Sequence, residues 1–311
     1  METQVECIER RPSEPCDRDI LMILRKEIAE KSELWGVPPD TVDKDWVLGH
    51  FLSAFYQVEN HLEELVFKGG TCLRKCRFPD YRFSEDLDFT SIDPDYKLTR
   101  EKIIKAIDIV QHNSGILLHL AELKELIYKN KPTGFQARIQ YWGANHGKNQ
   151  LPPASERWLT GIKLEVTTYE LLEFEKADCA IDHPYSDRES ISKIMIPCYD
   201  LKEVMAEKIR SLVQRSYTAP RDIYDIWVLK DHISEYAWEK VNEAFHNKMN
   251  FKGYHYTGVD QLINDKSINI LKRSWEQSLG HQLQSSYLPD IETVTRELTI
   301  IFKKYLVTTN K

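Results

Sequence analysis

Lys68-Gly69-Gly70-Thr71-Cys72-Leu73-Arg74-Lys75-Cys76, continued by Arg82-Phe83-Ser84-Glu85-Asp86-Leu87-Asp88-Phe89, is the stretch that decides how this chain folds. Before it stands Leu65-Val66-Phe67, an apolar run short enough for a buried strand. Two glycines end that run, and Thr71 to Cys76 reads as a helix start. Phe83 to Thr90 reads as a second strand, in which Leu87 and Phe89 alternate with Asp86 and Asp88. The unit is therefore strand, glycine turn, helix, strand.

Each half has a chemical reading and a plainer one. Two glycines let the backbone approach a ligand, and a helix N-terminus presents free N–H groups to a phosphate. A simple strand-to-helix turn also explains them. On a strand, Asp86 and Asp88 project from one face with Cα atoms about 6.6 Å apart. Ionised carboxylates that close repel unless a cation lies between them, and hard oxygen ligands suit Mg²⁺ or Mn²⁺. Such pairs also occur on solvated strand edges. Together they form a phosphate cradle followed about fifteen residues on by a carboxylate pair.

Outward from this unit, a helix near Arg18–Lys31 and a turn at Val37-Pro38-Pro39 lead into a second helix, Lys44 to Leu62. Its apolar face carries Trp46, Val47, Phe51, Leu52 and Phe55, with Asp40 or Thr41 as cap. Downstream come a helix over Thr99–His112 and another over Leu117–Tyr128. Strands follow at Phe135–Trp142, Gly161–Thr168 and Lys193–Cys198. Helices then run to the end, near 201–215, 220–231, 237–248, 260–277 and 290–307, with Asp200 and Glu203 spaced as a capping box. Strands mixed with helices, then helices alone, predict an α+β fold with two parts, 1–199 and 200–311.

Composition bounds the rest. The 311 residues are 41% hydrophobic and 29% charged, which is globular and excludes a disordered or fibrous chain. No run approaches the roughly 18 apolar residues of a membrane helix, and the first twenty residues lack a signal peptide's apolar core. The expectation is a cytoplasmic protein with no membrane partner. Net charge is −7, although Arg74, Lys75, Arg77 and Arg82 cluster beside the central motif, and Lys202, Lys208, Arg210, Arg215 and Arg221 form a second group. Both groups are solvated surface charge or a local anion-binding footprint. Six cysteines are too sparse for a disulfide scaffold. Cys72 and Cys76 lie one helical turn apart with no neighbouring Cys or His pair to complete a zinc site, so they read as reduced structural thiols. The ten histidines show no HxxxH or HxH spacing, which argues against a histidine-built metal centre. Trp142, Trp158, Trp227, Trp238 and Trp275 read as packing anchors; Tyr254-His255-Tyr256 reads as local packing or a base-stacking platform.

Residues 68–89 resemble the central motif of the nucleotidyltransferase-like AbiEii/AbiGii toxin family, within the polymerase-β-type nucleotidyltransferase superfamily. The family pattern is approximately FKGGTxL, a variable loop, then RFSxDxDF. Val42-Asp43-Lys44-Asp45-Trp46 is similar to the helix that leads into that core. Glu207-Lys208-Ile209-Arg210 and Arg221-Asp222-Ile223-Tyr224-Asp225-Ile226-Trp227 extend the resemblance, which covers roughly residues 40–230. It implies a nucleotidyltransferase core, a mixed sheet flanked by helices, followed by a helical C-terminal domain that contributes Lys208 and Asp222 to the cleft.

The resemblance also implies roles. Asp86 and Asp88 hold metal ions that bridge the phosphates of an NTP. Lys68, Gly69, Gly70, Thr71, Arg82 and Ser84 bind the nucleotide, and Lys208 contacts phosphate. Asp222 orients a catalytic partner or shares in proton transfer, or else only caps its helix. Asp225 supports the fold as a partner for Arg221 or a neighbouring helix. Glu165 stands where relatives place a third carboxylate, often Asp; it is a metal ligand, a general base, or an exposed partner of Lys163. The expected activity is Mg²⁺- or Mn²⁺-dependent transfer of nucleotide from an NTP to an acceptor hydroxyl, most naturally the 3′ end of tRNA, in a bacterial toxin–antitoxin or abortive-infection system with a cognate antitoxin. The other readings are modification of a protein or small molecule, and a non-catalytic nucleotide-binding module.

Overall fold

Leu117–Tyr128, rich in Leu and Glu, is a strand and not the helix its composition suggests. In the computed structural model, which describes residue 23 and residues 25–147, 150–217, 219–283 and 287–307, it pairs along its length with Lys131–Trp142. The turn between them is Lys129-Asn130, both at positive φ. Two consecutive positive-φ residues match the twist of a tight hairpin. Strand pairing thus overrides helix propensity.

Among the described residues the chain runs α1 (Arg25–Trp35), α2 (Pro39–Phe55), α3 (His61–Glu64), β1 (Leu65–Lys68), α4 (Gly69–Cys76), β2 (Asp86–Ser91) and α5 (Arg100–Ser114). The strands β3 (Leu117–Tyr128), β4 (Lys131–Trp142), β5 (Gly161–Thr167), β6 (Ala177–Cys179) and β7 (Ile196–Cys198) follow. Then come α6 (Leu201–Gln214), α7 (Pro220–Leu229), α8 (Ala237–Lys252), α9 (Asp265–Leu279) and α10 (Ile291–Tyr305). The strands form one mixed sheet in the order β3-β4-β5-β2-β1-β7-β6. This is the α+β architecture expected, a mixed sheet with helices flanking and following it. No helix among the described residues is long and apolar enough to cross a membrane.

Several boundaries differ from the sequence reading for identifiable reasons. The helix expected near Arg18–Lys31 falls partly outside the described residues; α1 covers its second half and continues to Trp35. α2 begins five residues before Lys44, because Pro39 supplies a preset φ at the first helical turn. Pro38, with no side-chain cap, precedes it, so neither Asp40 nor Thr41 is the cap. The helix ends at Phe55 and does not reach Leu62. It is also buried on all sides, not on one face, and its buried polar residues are partnered. Asp43 accepts from the Ala144 and Asn145 amides, and Ser53 Oγ accepts from the Ser192 amide. Asp187 gathers Trp46 Nε1, His50 Nε2 and His183 Nε2 at 2.9, 2.9 and 3.1 Å. Asp200 caps α6, but the capping box does not form: Glu203 turns away to accept from the Glu173 and Phe174 amides and to pair with Lys248. The three-residue β6 carries no readable signal in the sequence.

The buried apolar residues form two clusters on opposite faces of the sheet. Phe67, Leu87, Phe89, Leu164 and Val166 pack with α2 and α5. Val66 points the other way and packs with Tyr199 and helices α6 to α10. A central strand covered on both faces explains why β1 is apolar throughout except at Lys68.

The basic cluster beside the glycine turn is consumed internally and is not a surface footprint. Asp45 of α2 accepts from Arg74 Nε at 2.8 Å, Lys75 Nζ at 2.6 Å and Tyr185 Oη at 2.8 Å. Arg77 donates to the Tyr199 carbonyl. Asp45 therefore anchors α4 to α2 in the core. Its replacement, Asp45→Ala, leaves the buried Lys75 ammonium unpaired; chemical denaturation should show a loss of about 3–5 kcal/mol, and a loss below about 1 kcal/mol would show that Lys75 finds water.

Candidate active site

β1 ends at Lys68, and Gly69 turns the chain into α4 with φ +81°. The left-handed turn is one reason for glycine here. Space is the second: a Cβ on Gly69 would lie 2.5 Å from Asp88 Oδ2. At Gly70 a Cβ would lie 2.8 Å from an Arg82 guanidinium nitrogen and 2.9 Å from Ser84 Oγ. The glycine pair thus lets the start of α4 sit directly against the second half of the motif. Thr71 faces inward, and its hydroxyl donates to the Asp86 carbonyl at 2.5 Å. It ties α4 to β2.

The sheet register lays the polar side chains out in rows. Lys68 of β1 pairs with Asp88 of β2, Asp88 with Glu165 of β5, and Glu165 with Gln136 of β4. One step along, Asp86 pairs with Lys163 and Lys163 with Arg138. Lys68, Asp88, Glu165, Asp86 and Lys163 share a face because they occupy alternate positions of adjacent strands. Lys163 Nζ contacts Glu165 Oε2 at 2.9 Å. Burial, then the neighbouring Asp86 and Glu165 charges, push the Asp88 carboxyl up to about 6, with Lys68 opposing. Burial also raises Asp86, against the pull of Lys163 and Lys44.

The C-terminal helices close this face. Lys208 of α6 donates to Asp222 Oδ1 at 2.7 Å and lies 2.9 Å from Asp225 Oδ2. Burial disfavours its charge, but these two carboxylates more than offset that and raise its pKa. Arg215 reaches the other Asp222 oxygen at 3.1 Å. Lys68 Nζ donates to Glu207 of α6 at 3.0 Å. Arg82 forks onto Asp225 through Nε at 2.6 Å and Nη2 at 2.8 Å, and Tyr81 donates to the same carboxylate. Asp225 is therefore a partner of Arg82, Tyr81 and Lys208, not of Arg221.

A cleft of about 180 Å³ results, lined by Lys68, Gly69, Asp88, Glu165, Lys208 and Asp222. Asp86 and Ser84 open into a neighbouring hollow of about 460 Å³ with Lys44, Arg138 and Lys163. Arg82 and Thr71 line neither, being buried in contacts of their own. A third hollow, about 540 Å³, adjoins the cleft through Lys68 and Glu165 and carries Tyr128, Tyr169 and Tyr254. Tyr128 and Tyr169 escape a sequence reading because they lie at strand and loop ends with no motif around them. Tyr256 instead packs on Phe245.

Residues 50–297 match the family described as nucleotidyl transferase AbiEii toxin, type IV toxin–antitoxin system. The chain belongs to this family. Its fold resembles that of MenT4, a nucleotidyltransferase toxin from Mycobacterium tuberculosis, with a TM-score of 0.62 over 90% of both chains at 17% identity. JHP933 from Helicobacter pylori aligns with a TM-score of 0.47 at 16% identity, over 82% of this chain and 89% of that one. A search of curated proteins finds no significant match. The chain is thus a nucleotidyltransferase toxin of the AbiEii type, and the family implies an NTP substrate and an antitoxin partner.

Two outcomes follow from the crowded carboxylates of this AbiEii chain. A carboxyl whose pKa rises from 3.8 to about 6 on folding favours the folded state while protonated; that advantage is lost as pH climbs between those values, and above them the ionised group costs stability. Asp88→Asn should therefore stabilise the metal-free protein at pH 7 by about 1–3 kcal/mol and have little effect at pH 4, read from melting curves at both pH values. Gly69→Ala should lose about 1–2 kcal/mol from the left-handed turn and displace Asp88, with transferase activity down by more than about tenfold.

Proposed function

We propose that this AbiEii protein transfers nucleotide from an NTP to the 3′ end of tRNA, using Mg²⁺ held by Asp86 and Asp88 with Glu165 beside them. The observation that carries the reading is the convergence of three carboxylates on one sheet face, beside a glycine turn and opposite Lys208. Asp88 is disfavoured as an anion where it stands, which suits a site that receives a divalent cation. Bound there, the ion would neutralise the triphosphate and polarise the phosphorus under attack.

The chain's own groups have distinct tasks in this proposal. The amides at the start of α4 and the Lys208 ammonium bind the triphosphate. Asp222 holds Lys208 in place, which favours an orienting role over proton transfer. Lys68 is held in place by Glu207, and its charge opposes the rise of Asp88. Arg82 and Thr71 support the motif from behind, while Ser84 stands at the rim beside Gly70. The tyrosine-lined hollow receives the base by stacking. Glu165 can accept the proton of the attacking hydroxyl once Lys163 releases it. The hollow holding Lys44, Arg138 and Lys163 accepts the acceptor's backbone phosphates.

The test incubates the protein with each labelled NTP, Mg²⁺ and total tRNA. Label should enter the tRNA 3′ end with wild type, fall by at least about a hundredfold in Asp86→Ala and Asp88→Ala, and fall about 10- to 100-fold in Lys208→Ala. Label in protein or a small molecule would move the acceptor. Equal labelling by wild type and both aspartate variants would remove the assigned site.

A further inference from the structure

Three cysteines, Cys72, Cys76 and Cys198, meet beneath the glycine turn, and Cys179 lies near them. Cys72 and Cys76 occupy successive turns of α4, Cys198 ends β7, and Cys179 ends β6. The sulfurs of Cys72, Cys76 and Cys198 all lie within 4.8 Å of one another. Cys179 donates to the Ala177 carbonyl and lies near enough to Cys198 and Cys76 to act on their charge. Ala177 is the register partner of Cys198, so Cys179, two residues on, shares its face of the sheet. Cys72, Cys179 and Cys198 are buried, and Cys76 is partly open.

Sequence spacing alone hides this cluster, since only the Cys72/Cys76 pair is local. The fold completes it because β7 pairs with β1, placing Cys198 opposite Phe67, two residues before α4 begins.

For the Cys72–Cys76 and Cys179–Cys198 pairs the geometry fits a shared cation better than a disulfide. Residues four apart on a helix have Cβ atoms about 5–6 Å apart, whereas a disulfide needs about 3.5–4.5 Å. Diagonal neighbours on paired strands, such as Cys179 and Cys198, are about 7–8 Å apart. A tetrahedral Zn²⁺ with bonds of about 2.3 Å spans sulfurs about 3.8 Å apart. Three thiols within 4.8 Å of one another need close only slightly to reach that. Charge is also provided for. Zn²⁺ with three or four thiolates is a net anion, and the Arg77 guanidinium acts on both Cys76 and Cys179. Arg77 Nη2 is committed to the Tyr199 carbonyl, but its buried Nε has no hydrogen-bond partner. A buried donor without an acceptor costs about 1–3 kcal/mol, and a thiolate shell beside it would answer that cost.

We propose that Cys72, Cys76, Cys198 and Cys179 form a structural zinc site that pins α4 to the β7–β6 edge of the sheet. The site is separate from the Asp86/Asp88 face and takes a borderline-soft cation, where the carboxylates take a hard one. Cys76 gives the ion its way in. Each thiol releases its proton as the Zn–S bond forms, so loading releases protons and weakens as pH falls.

The experiment uses the full chain, stripped of metal under reducing conditions, then offered Zn²⁺ or Co²⁺ and desalted. One zinc per chain should remain, and the cobalt form should show thiolate-to-cobalt charge-transfer absorption. Zinc should raise the melting temperature by about 5 °C or more. The combined Cys76→Ser and Cys198→Ser variant should lose the metal, whereas Asp86→Ala and Asp88→Ala should keep it. Absence of retained metal in wild type, cobalt without a charge-transfer band, or metal held equally by the cysteine variant would each overturn the proposal. A disulfide among these cysteines, found by mass spectrometry in protein isolated without reductant and resistant to zinc loading after reduction, would overturn it too. The cobalt spectrum is read on wild type, so it decides the matter even where the serine variant fails to fold.

Discussion

The fork between Arg82 and Asp225 is the constraint on which this architecture turns. Both charges are buried, and Asp225 is the carboxylate that Arg82 meets through two of its nitrogens. Ions taken out of water must be matched closely or the fold does not form. Arg82 lies four residues before Asp86, and Asp225 lies on α7. The pair therefore fixes the entry to β2 against the C-terminal helices. Asp225 also meets Lys208, so the same carboxylate sets where the cleft's ammonium group stands. Burial raises the Asp225 carboxyl, but Arg82 and Lys208 outweigh it and hold the group ionised.

Charge in this protein is directed inward. Its net charge of −7 gives no hint of a basic surface, and many of the cations near the motif are already paired. Glu170 shows the same habit on the other side, meeting Arg210, Lys248 and Lys252 together. The carboxylates of β2 are treated differently: burial raises both, and Asp88 also meets the Asp86 and Glu165 charges. Carboxylates disfavoured as anions and opening into adjoining hollows are candidates for function.

How much is legible in the sequence depends on the range of the interactions involved. The strand, turn, helix and strand of residues 65–91 are readable because Gly69, Gly70 and the Asp86/Asp88 alternation are local signals. The five C-terminal helices are readable from their period. Leu117–Tyr128 is not, since its strand state comes from a partner on β4. Arg74, Lys75 and Arg82 look like a basic footprint because the acids that claim them, Asp45 and Asp225, are about 30 and 143 residues away in sequence. The inward turn of Thr71 is equally non-local, set by the Asp86 carbonyl. The convergence of Cys179 and Cys198 on α4 requires the β1–β7 pairing, which no spacing rule encodes.

Gln282 closes the loop that leads into β2. Its carbonyl accepts from the Phe83 amide, and its side-chain oxygen accepts from Arg82 Nη1, 200 residues earlier in the chain. During synthesis, then, two of the hydrogen bonds of the run-in to Asp86 can form only once residue 282 has been made. Contacts of such separation form late in folding. A chain stopped before Gln282 lacks these two contacts, and the approach to Asp86 loses part of what holds it in place.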